Sequence, residues 1–407
     1  MADAYIIDAV RTPRGIGKQG KGALSHLHPQ HVAATVLEAL VERNDFETAD
    51  VDDVVWGTSS QVSEQSGDLG RMAALDAGYD VKASGVTLDR FCGSGITSTN
   101  IAANAIMAGM EDLTISGGTE MMSLPKKGLL PMGALNLHLQ DLHPQPHQGI
   151  AADAIASMER ISRRALDEHA AESQARADRA IKQGRFDKSL VPVYNRDGSL
   201  ALDHEEFPRP GTTADSLGSL PPSFAAMADY RHSEDALTYR ELVAQKYPDL
   251  EIEHFHHAGN SSGVVDGAAA VLLASKKYAD THGLTPRARI VATANMGDDP
   301  TLMLNAPVPA ARKVLQRAGL SLDDIDLFEI NEAFAVVSEK FMRDLDLDRD
   351  KVNVNGGAMA LGHPIGATGA ILIGTALDEL ERRDGQRALI TMCAGGGMAP
   401  AIIIERI

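Results

Sequence analysis

The two ends of the chain repeat one pattern. A helix-period segment, His31–Arg43, leads into the apolar run Val51–Gly57, and Ala310–Ala318 leads into Leu322–Ile330 in the same way. A glycine-rich bend at Cys92, a helical stretch and a strand closing on Gly117-Gly118 are matched by a glycine-rich bend at His363, a helical stretch and a strand ending at Cys393. The offset is roughly 270 residues throughout, too long for a stacked array of repeats, so a duplicated α/β unit is expected. Within Met1–Glu120 strands and helices alternate, which predicts a mostly parallel sheet covered by helices. Two such halves packed together bring both bends to one cleft.

The first bend lies in VTLDRFCGSGITSTN, Val86–Asn100. It reads as a strand, a glycine-flanked turn and the first turn of a helix. Ile101, Ala102, Ala105 and Ile106 recur at helical spacing beyond it. A cysteine at a helix N-terminus sees the positive end of the macrodipole, which favours thiolate, the nucleophilic form. The competing reading is that Cys92 is a small buried hydrophobe. On this stretch alone the two stand side by side.

Between the halves the texture changes. Ser123–Gly149 is rich in Pro, Gly, Leu and His, Ala151–Gly184 is strongly helical, Phe186–Pro222 is broken by Pro and Gly, and Ala225–Tyr247 reads as helix again. Arg160, Arg163, Arg164, Arg176, Arg179 and Lys182 cluster on the Ala151–Gly184 segment. They suit either an anion or a solvated helix face. The rest of the protein is acidic: a net charge of −18 argues against nucleic acid or an anionic membrane as partner. No apolar run reaches the roughly 20 residues needed to span a bilayer. MADAYIIDAVRTP lacks the marks of a signal peptide and the final ERI is not a peroxisomal address, so a cytoplasmic location is expected. Two cysteines do not make a disulfide framework, which fits a reducing compartment.

Four chemistry-bearing residues fall at strand ends or glycine-rich turns: Cys92, His363 in NVNGGAMALGHPIGATGA, Cys393 in CAGGGMAP, and Asn331 in INEAF. Such ends are where α/β proteins bind and react. Each residue alone has a plain packing reading; together they point to chemistry. No CxxC or HxxxH pair accompanies them, so no metal is expected.

The sequence resembles the thiolases over nearly its whole length. The resemblance is carried by RTPRGIGKQGKGAL near the start, DRFCGSG, HHAGNSSGVVDGAAA, EINEAFA with NVNGGAMALGHPIGATGA, and CAGGGMAP. It implies a five-layer αβαβα thiolase fold from two similar halves, residues 1–120 with 255–280 and residues 281–407. A loop domain, 121–254, is inserted for coenzyme A binding and oligomer contacts. It implies reversible thiolysis of a 3-ketoacyl-CoA to acetyl-CoA and a shortened acyl-CoA, with coenzyme A as substrate and no permanently bound cofactor. Cys92 would be the acyl-accepting nucleophile, His363 the base that takes its proton, and Cys393 the acid/base at the acetyl carbon. Asn331, through a water, and His363 would hold the thioester oxygen. The backbone N–H groups of Cys92 and Gly395 would hold the ketone oxygen.

For coenzyme A the resemblance implies Ser262 and Ala258 along the pantetheine, Arg209 on the adenine, Phe224 beside the pantetheine and His147 before a loop-domain helix. The usual neighbour of that histidine is methionine; here it is Gln148. The chain also carries a long segment, Ala225–His254, that the compact family pattern lacks, and a loop of this length is usually functional. It suggests a substrate larger than acetoacetyl-CoA and so the degradative direction. Acetoacetyl-CoA formation is the alternative, and an inactive acyl-CoA- or lipid-binding paralogue a remote one. A decarboxylating ketoacyl synthase would lack Cys393. The resemblance further implies self-association as a dimer or tetramer, with Leu124–His143 at the tetramer contact.

Overall fold

The computed structural model describes residues 2–125, 132–133, 135–234 and 236–407. Nine strands run along one sheet: β1 Ala4–Arg11, β2 Asp53–Gly57, β3 Ser84–Leu88, β4 Leu113–Met121, β5 Val265–Ser275, β6 Ala288–Gly297, β7 Leu327–Ile330, β8 Arg387–Thr391 and β9 Met398–Arg406. Their order is β7-β8-β9-β6-β1-β5-β4-β2-β3. The first half-sheet is β1-β5-β4-β2-β3 and the second β7-β8-β9-β6. They join edge to edge where Tyr5 pairs with Arg289 and Ile6 with Ala288.

Within Met1–Glu120 the strands pair in parallel as expected, while the full sheet is mixed. β2 runs parallel to β3 and β4, and β7 to β8, but every other pairing along the order is antiparallel. The reason is connectivity. The chain leaves β4 into the long insertion and returns in β5 from the opposite direction, and β8 turns straight back into β9 through a short glycine turn.

Side-chain alternation sorts the strands into layers, since successive residues of a strand face opposite sides. Ala268, Ala270, Leu272 and Ala274 pack outward with Val32, Val36, Leu37 and Leu40 of the helix Pro29–Asn44. Ala269, Val271 and Leu273 pack inward with Ile96 and Ile106 of the helix Ser94–Met107 and Ile373 and Leu377 of the helix Ile365–Arg383. Leu389 and Ile403 of the second half-sheet face outward onto the helices Pro307–Ala318 and Ala335–Leu345, while Ile390 and Ile402 face the same central helix pair. Helix, sheet, helix pair, sheet and helix give the αβαβα sandwich.

The two central helices touch through bare backbone. A Cβ on Gly369 would lie 2.0 Å from the Ile96 nitrogen, and one on Gly95 2.8 Å from Gly369 N and Gly366 O. Real Cβ atoms do not approach this closely, so glycine is obligatory at 369.

Two helical expectations in the insertion change. Ala151–Gly184 is two helices, Gln148–Met158 and Arg163–Lys182, broken where Arg160 takes a left-handed φ of 52° and Ser162 caps the second. Ala225–Tyr247 is helical only at Ala225–Met227 and Tyr239–Lys246. Thr238 and Glu241 form a capping box that starts the latter afresh. Four of the six basic residues are paired: Arg163 bonds Asp167, Arg176 bonds Glu172 and the Val352 carbonyl, and the exposed Arg164 and Lys182 bond Glu168 and Asp178 one turn away, as on a solvated helix face. Of the stretch 124–143, residues 126–131 and 134 lie outside the described residues; Asn136 caps the short helix Leu137–Leu142.

Candidate active site

β3 delivers the chain to Phe91, which takes a left-handed φ of 49°, and Cys92 follows at the foot of the helix Ser94–Met107. The bend is held by Ser94, whose hydroxyl donates to the Phe91 carbonyl at 2.7 Å and accepts from Arg90 N at 2.9 Å. A non-glycine residue held left-handed stores strain, and such strain clusters at functional bends. Burial, followed by the charge of Glu120, pushes the Cys92 thiol up to about 12. The thiolate that the helix dipole alone would favour is therefore not the resting form, and a base has to take the proton.

The Cys393 turn packs directly on this bend. A Cβ on Gly93 would sit 2.8 Å from Pro400 and 3.3 Å from Ala394, and one on Gly395 2.9 Å from the Phe91 ring. Cys393 is buried at 1% exposure, and burial and the neighbouring Cys92 both raise its pKa. Both cysteines are free thiols. Asn331 joins them through its N–H, which donates to the Thr391 carbonyl at 3.3 Å. Its side chain is buried at 1% exposure with neither Oδ1 nor Nδ2 hydrogen-bonded. A buried, unpaired amide costs stability, so its retention points to a ligand or water that it serves.

His363 lies between the short helix Ala358–Leu361 and the central helix Ile365–Arg383. Its Nδ1 is 2.6 Å from Thr368 Oγ1, and that hydroxyl spends its only proton on the Pro364 carbonyl at 3.0 Å. With the hydroxyl proton so placed, Thr368 accepts from His363 Nδ1 and the Nε2 lone pair is free; this tautomer is assigned from the hydrogen-bond pattern. Burial lowers the imidazole pKa to about 4, so it is neutral, and Nε2 has no partner. Glu120 fastens the His363 bend to the loop after β2: it accepts from Ser59 N at 3.0 Å, Ser60 N at 3.1 Å, Gln65 Nε2 at 2.6 Å and Gly366 N at 3.0 Å.

One cavity opens on Cys92 and a second lies on the far side of Phe224. The first, of about 540 Å³, is lined by Cys92, Gly395, His147, Gln148, His232 and Tyr239, among others. The other, of about 750 Å³, is lined by Arg209, Phe224, Ala258 and Ser262, with Lys18 and Phe207. Four of the five residues expected on coenzyme A thus share one cavity. The fifth, His147, lines the Cys92 cavity instead, and its ring meets Phe224 at 5.6 Å across the partition. The loop carrying Ala258 and Ser262 is anchored to the insertion by buried acids. Asp153 accepts from His256 Nδ1 at 2.7 Å, and Asp167 binds His257 Nε2 at 2.9 Å and Asn260 Nδ2 at 2.9 Å.

Thr368, Glu120, His232 and Tyr239 were not singled out from sequence. Glu120 carried a signal, an acid in the otherwise buried strand β4 just past Gly117-Gly118. Thr368, five residues after His363, did not. Among the described residues no helix is long and apolar enough to cross a membrane, and no three His, Cys, Asp or Glu are grouped to hold a metal.

The comparisons agree with this architecture. The thiolase N-terminal domain model matches residues 4–228 and the thiolase C-terminal domain model residues 284–406. A steroid 3-ketoacyl-CoA thiolase of Mycobacterium tuberculosis is 39% identical, over 100% of this chain and 95% of its own length. A 3-oxoadipyl-CoA/3-oxo-5,6-dehydrosuberyl-CoA thiolase of Escherichia coli is 40% identical over 100% of both chains. The crystal structure of the Bacillus anthracis acetyl-CoA acetyltransferase superposes with a TM-score of 0.84 at 34% identity, covering 100% of this chain and 99% of that one. The chain belongs to the thiolase family of acyltransferases.

Proposed function

We propose that the protein cleaves a 3-ketoacyl-CoA with coenzyme A, in the degradative direction, through an acyl-Cys92 intermediate. The observation that carries this is the His363 imidazole, neutral and with Nε2 unpartnered, at the foot of the central helix that packs on the helix following Cys92, whose thiol burial keeps protonated. His363 Nε2 takes the Cys92 proton and the sulfur adds to the ketone carbon. The oxyanion that forms is held by the N–H groups of Cys92 and Gly395. The C2–C3 bond then breaks, leaving the acyl group on sulfur and the electron pair on the acetyl-CoA enolate. His363, now carrying a proton on Nε2, and Asn331 stabilise the enolate oxygen, and Cys393 delivers a proton to the carbon. Incoming coenzyme A gives its thiol proton to the Cys393 thiolate and takes the acyl group, and Cys92 leaves as thiolate and recovers its proton from His363 Nε2. A preorganised donor at a developing oxyanion is worth about 3 kcal/mol, which justifies carrying an unpaired buried amide at Asn331.

In this reading the 750 Å³ cavity takes coenzyme A on Arg209, Phe224, Ala258 and Ser262, with His147 at the partition. Residues 1–120 with 255–280 and residues 281–407 act as the two halves, and 121–254 as the loop domain. A cavity of about 540 Å³ over Cys92 exceeds what an acetyl group needs, which supports the degradative direction over acetoacetyl-CoA synthesis. The enzyme works as a homo-oligomer in a reducing cytoplasm. Strand β3 is an edge strand with Val86 exposed, and Met72, Leu75 and Val81 are exposed around it, an apolar edge that a second copy would cover.

Exchange of label between acetyl-CoA and a free coenzyme A pool tests the chemistry. Thiolysis rates from acetoacetyl-CoA to longer and ring-bearing 3-ketoacyl-CoA substrates test the direction. No exchange from protein with intact Cys92 overturns the first reading, and a preference for acetoacetyl-CoA over all larger substrates overturns the second.

A further inference from the structure

The Cys92 cavity is not a plain apolar pocket. Gly149 donates its backbone N–H to His147 Nδ1 at 3.1 Å. A backbone N–H can only donate, so Nδ1 is the lone-pair nitrogen. Burial holds this imidazole below its ordinary pKa, so the ring is neutral and its proton sits on Nε2. No described residue accepts that proton. The next residue, Gln148, opens the helix Gln148–Met158, lines the same cavity and has no described side-chain partner. Tyr239, from the segment that the compact family pattern lacks, packs on His147 at 6.0 Å between ring centroids. Its phenol lies 3.1 Å from His232 Nε2, and its oxygen keeps hydrogen-bonding capacity to spare. The cavity wall therefore combines uncommitted neutral donors with the volume for a bulky group.

The charge on that wall argues for an uncharged guest. Asp89 lines the same cavity, its carboxyl fixed by the Phe91 N–H at 2.6 Å. A second carboxylate bound there would sit against it in a partly dry space, where like charges repel more strongly than in water.

We propose that this cavity selects a bulky 3-ketoacyl group bearing an uncharged oxygen, a ketone or hydroxyl, beyond the reacting carbons, and that His147, Gln148 and Tyr239 hydrogen-bond it. The proposal rests on the reading of Cys92 as acyl acceptor. An unsubstituted alkyl chain fills the same space but leaves the donors unpaired. Sites built to bind a substrate hydroxyl reject the analogue lacking it far more strongly than a pocket of matched shape alone can.

The test is kcat/KM for thiolysis of 3-ketooctanoyl-CoA, its terminal-hydroxy derivative and the matching terminal carboxylate, in the wild type, Gln148→Met and Tyr239→Phe. The wild type should favour the hydroxy substrate over the alkyl one by about tenfold or more, with the carboxylate below it. Each variant should shrink the hydroxy-to-alkyl ratio at least about threefold, mostly through KM. A wild-type preference for alkyl or carboxylate overturns the proposal, as does a ratio unmoved in both variants. Should the variants fail to fold, the wild-type substrate order decides it. Failure to cleave any substrate, acetoacetyl-CoA included, would instead overturn the thiolysis reading on which this one stands.

Discussion

The two glycine-rich bends share a scaffold and differ in what surrounds their reactive atoms. Cys92 opens onto a cavity, follows a left-handed residue, and has its charged form suppressed by burial and by Glu120. His363 is almost fully enclosed, and its ring is pinned by one threonine in a single tautomer. One bend borders a cavity; the other is walled in. A duplicated framework supplies two equivalent positions, and local packing gives them different surroundings.

The largest test of that division is Cys92→Ser. Oxygen is a poorer nucleophile and a poorer leaving group here, and a neutral imidazole cannot make an alkoxide easily. Label exchange should fall by roughly 10⁴-fold or more, with folding unchanged by circular dichroism. Retained exchange would remove the acyl-accepting role from this bend.

Asn331→Ala comes next. Turnover should drop about 10²- to 10³-fold. Because the amide makes no hydrogen bond in the folded chain, its loss leaves nothing unpaired, so the melting temperature should hold or rise. A marked fall in melting temperature with little change in kcat would make Asn331 a structural residue.

Thr368→Val probes the pinned bend without touching a reacting group. It removes the acceptor that holds the His363 proton on Nδ1 and should lower kcat about 10- to 100-fold, with Thr368→Ser restoring most of it. An unchanged rate in the valine variant would mean that packing alone orients the ring.

The smallest effect is on stability. The His363 pKa falls from 6.5 to about 4 on folding, so between those values the unfolded chain binds a proton that the folded chain refuses. This group's contribution is present above the unfolded value and is lost as pH drops through the window. Relative to His363→Gln, the wild type should lose about 2 °C of melting temperature between pH 7 and pH 5. Parallel melting curves would mean the ring is not shielded.

Most of the framework was legible from short apolar runs. The expected run Val51–Gly57 holds the strand Asp53–Gly57, the strand expected to end at Cys393 ends at Thr391, and a helix follows each glycine-rich bend as expected. Strand direction was legible within Met1–Glu120 but not for β5, because that depends on where the long stretch between β4 and β5 hands the chain back, and no local pattern encodes that. The junction of the half-sheets rests on two residue pairs of β1 and β6, too few to leave a periodicity. The break at Arg160 hid inside good helix formers; Ser162, able to cap, was the available sign. Thr238 and Glu241 likewise spelled a helix start inside a segment that read as continuous helix.

At the site, the cysteines, His363 and Asn331 stood out because reactive residues in glycine-rich turns are unusual. Thr368 and Tyr239 did not, since each is ordinary in its own stretch and gains meaning only from a partner elsewhere in the fold.

The bare-backbone contact between Gly369 and Ile96 has a consequence for how this enzyme can change over generations. The spacing of the two central helices is gauged by main-chain atoms, which every descendant inherits whatever happens to its side chains. Residues around either cavity are thereby free to drift toward new guests while the two helices keep their distance.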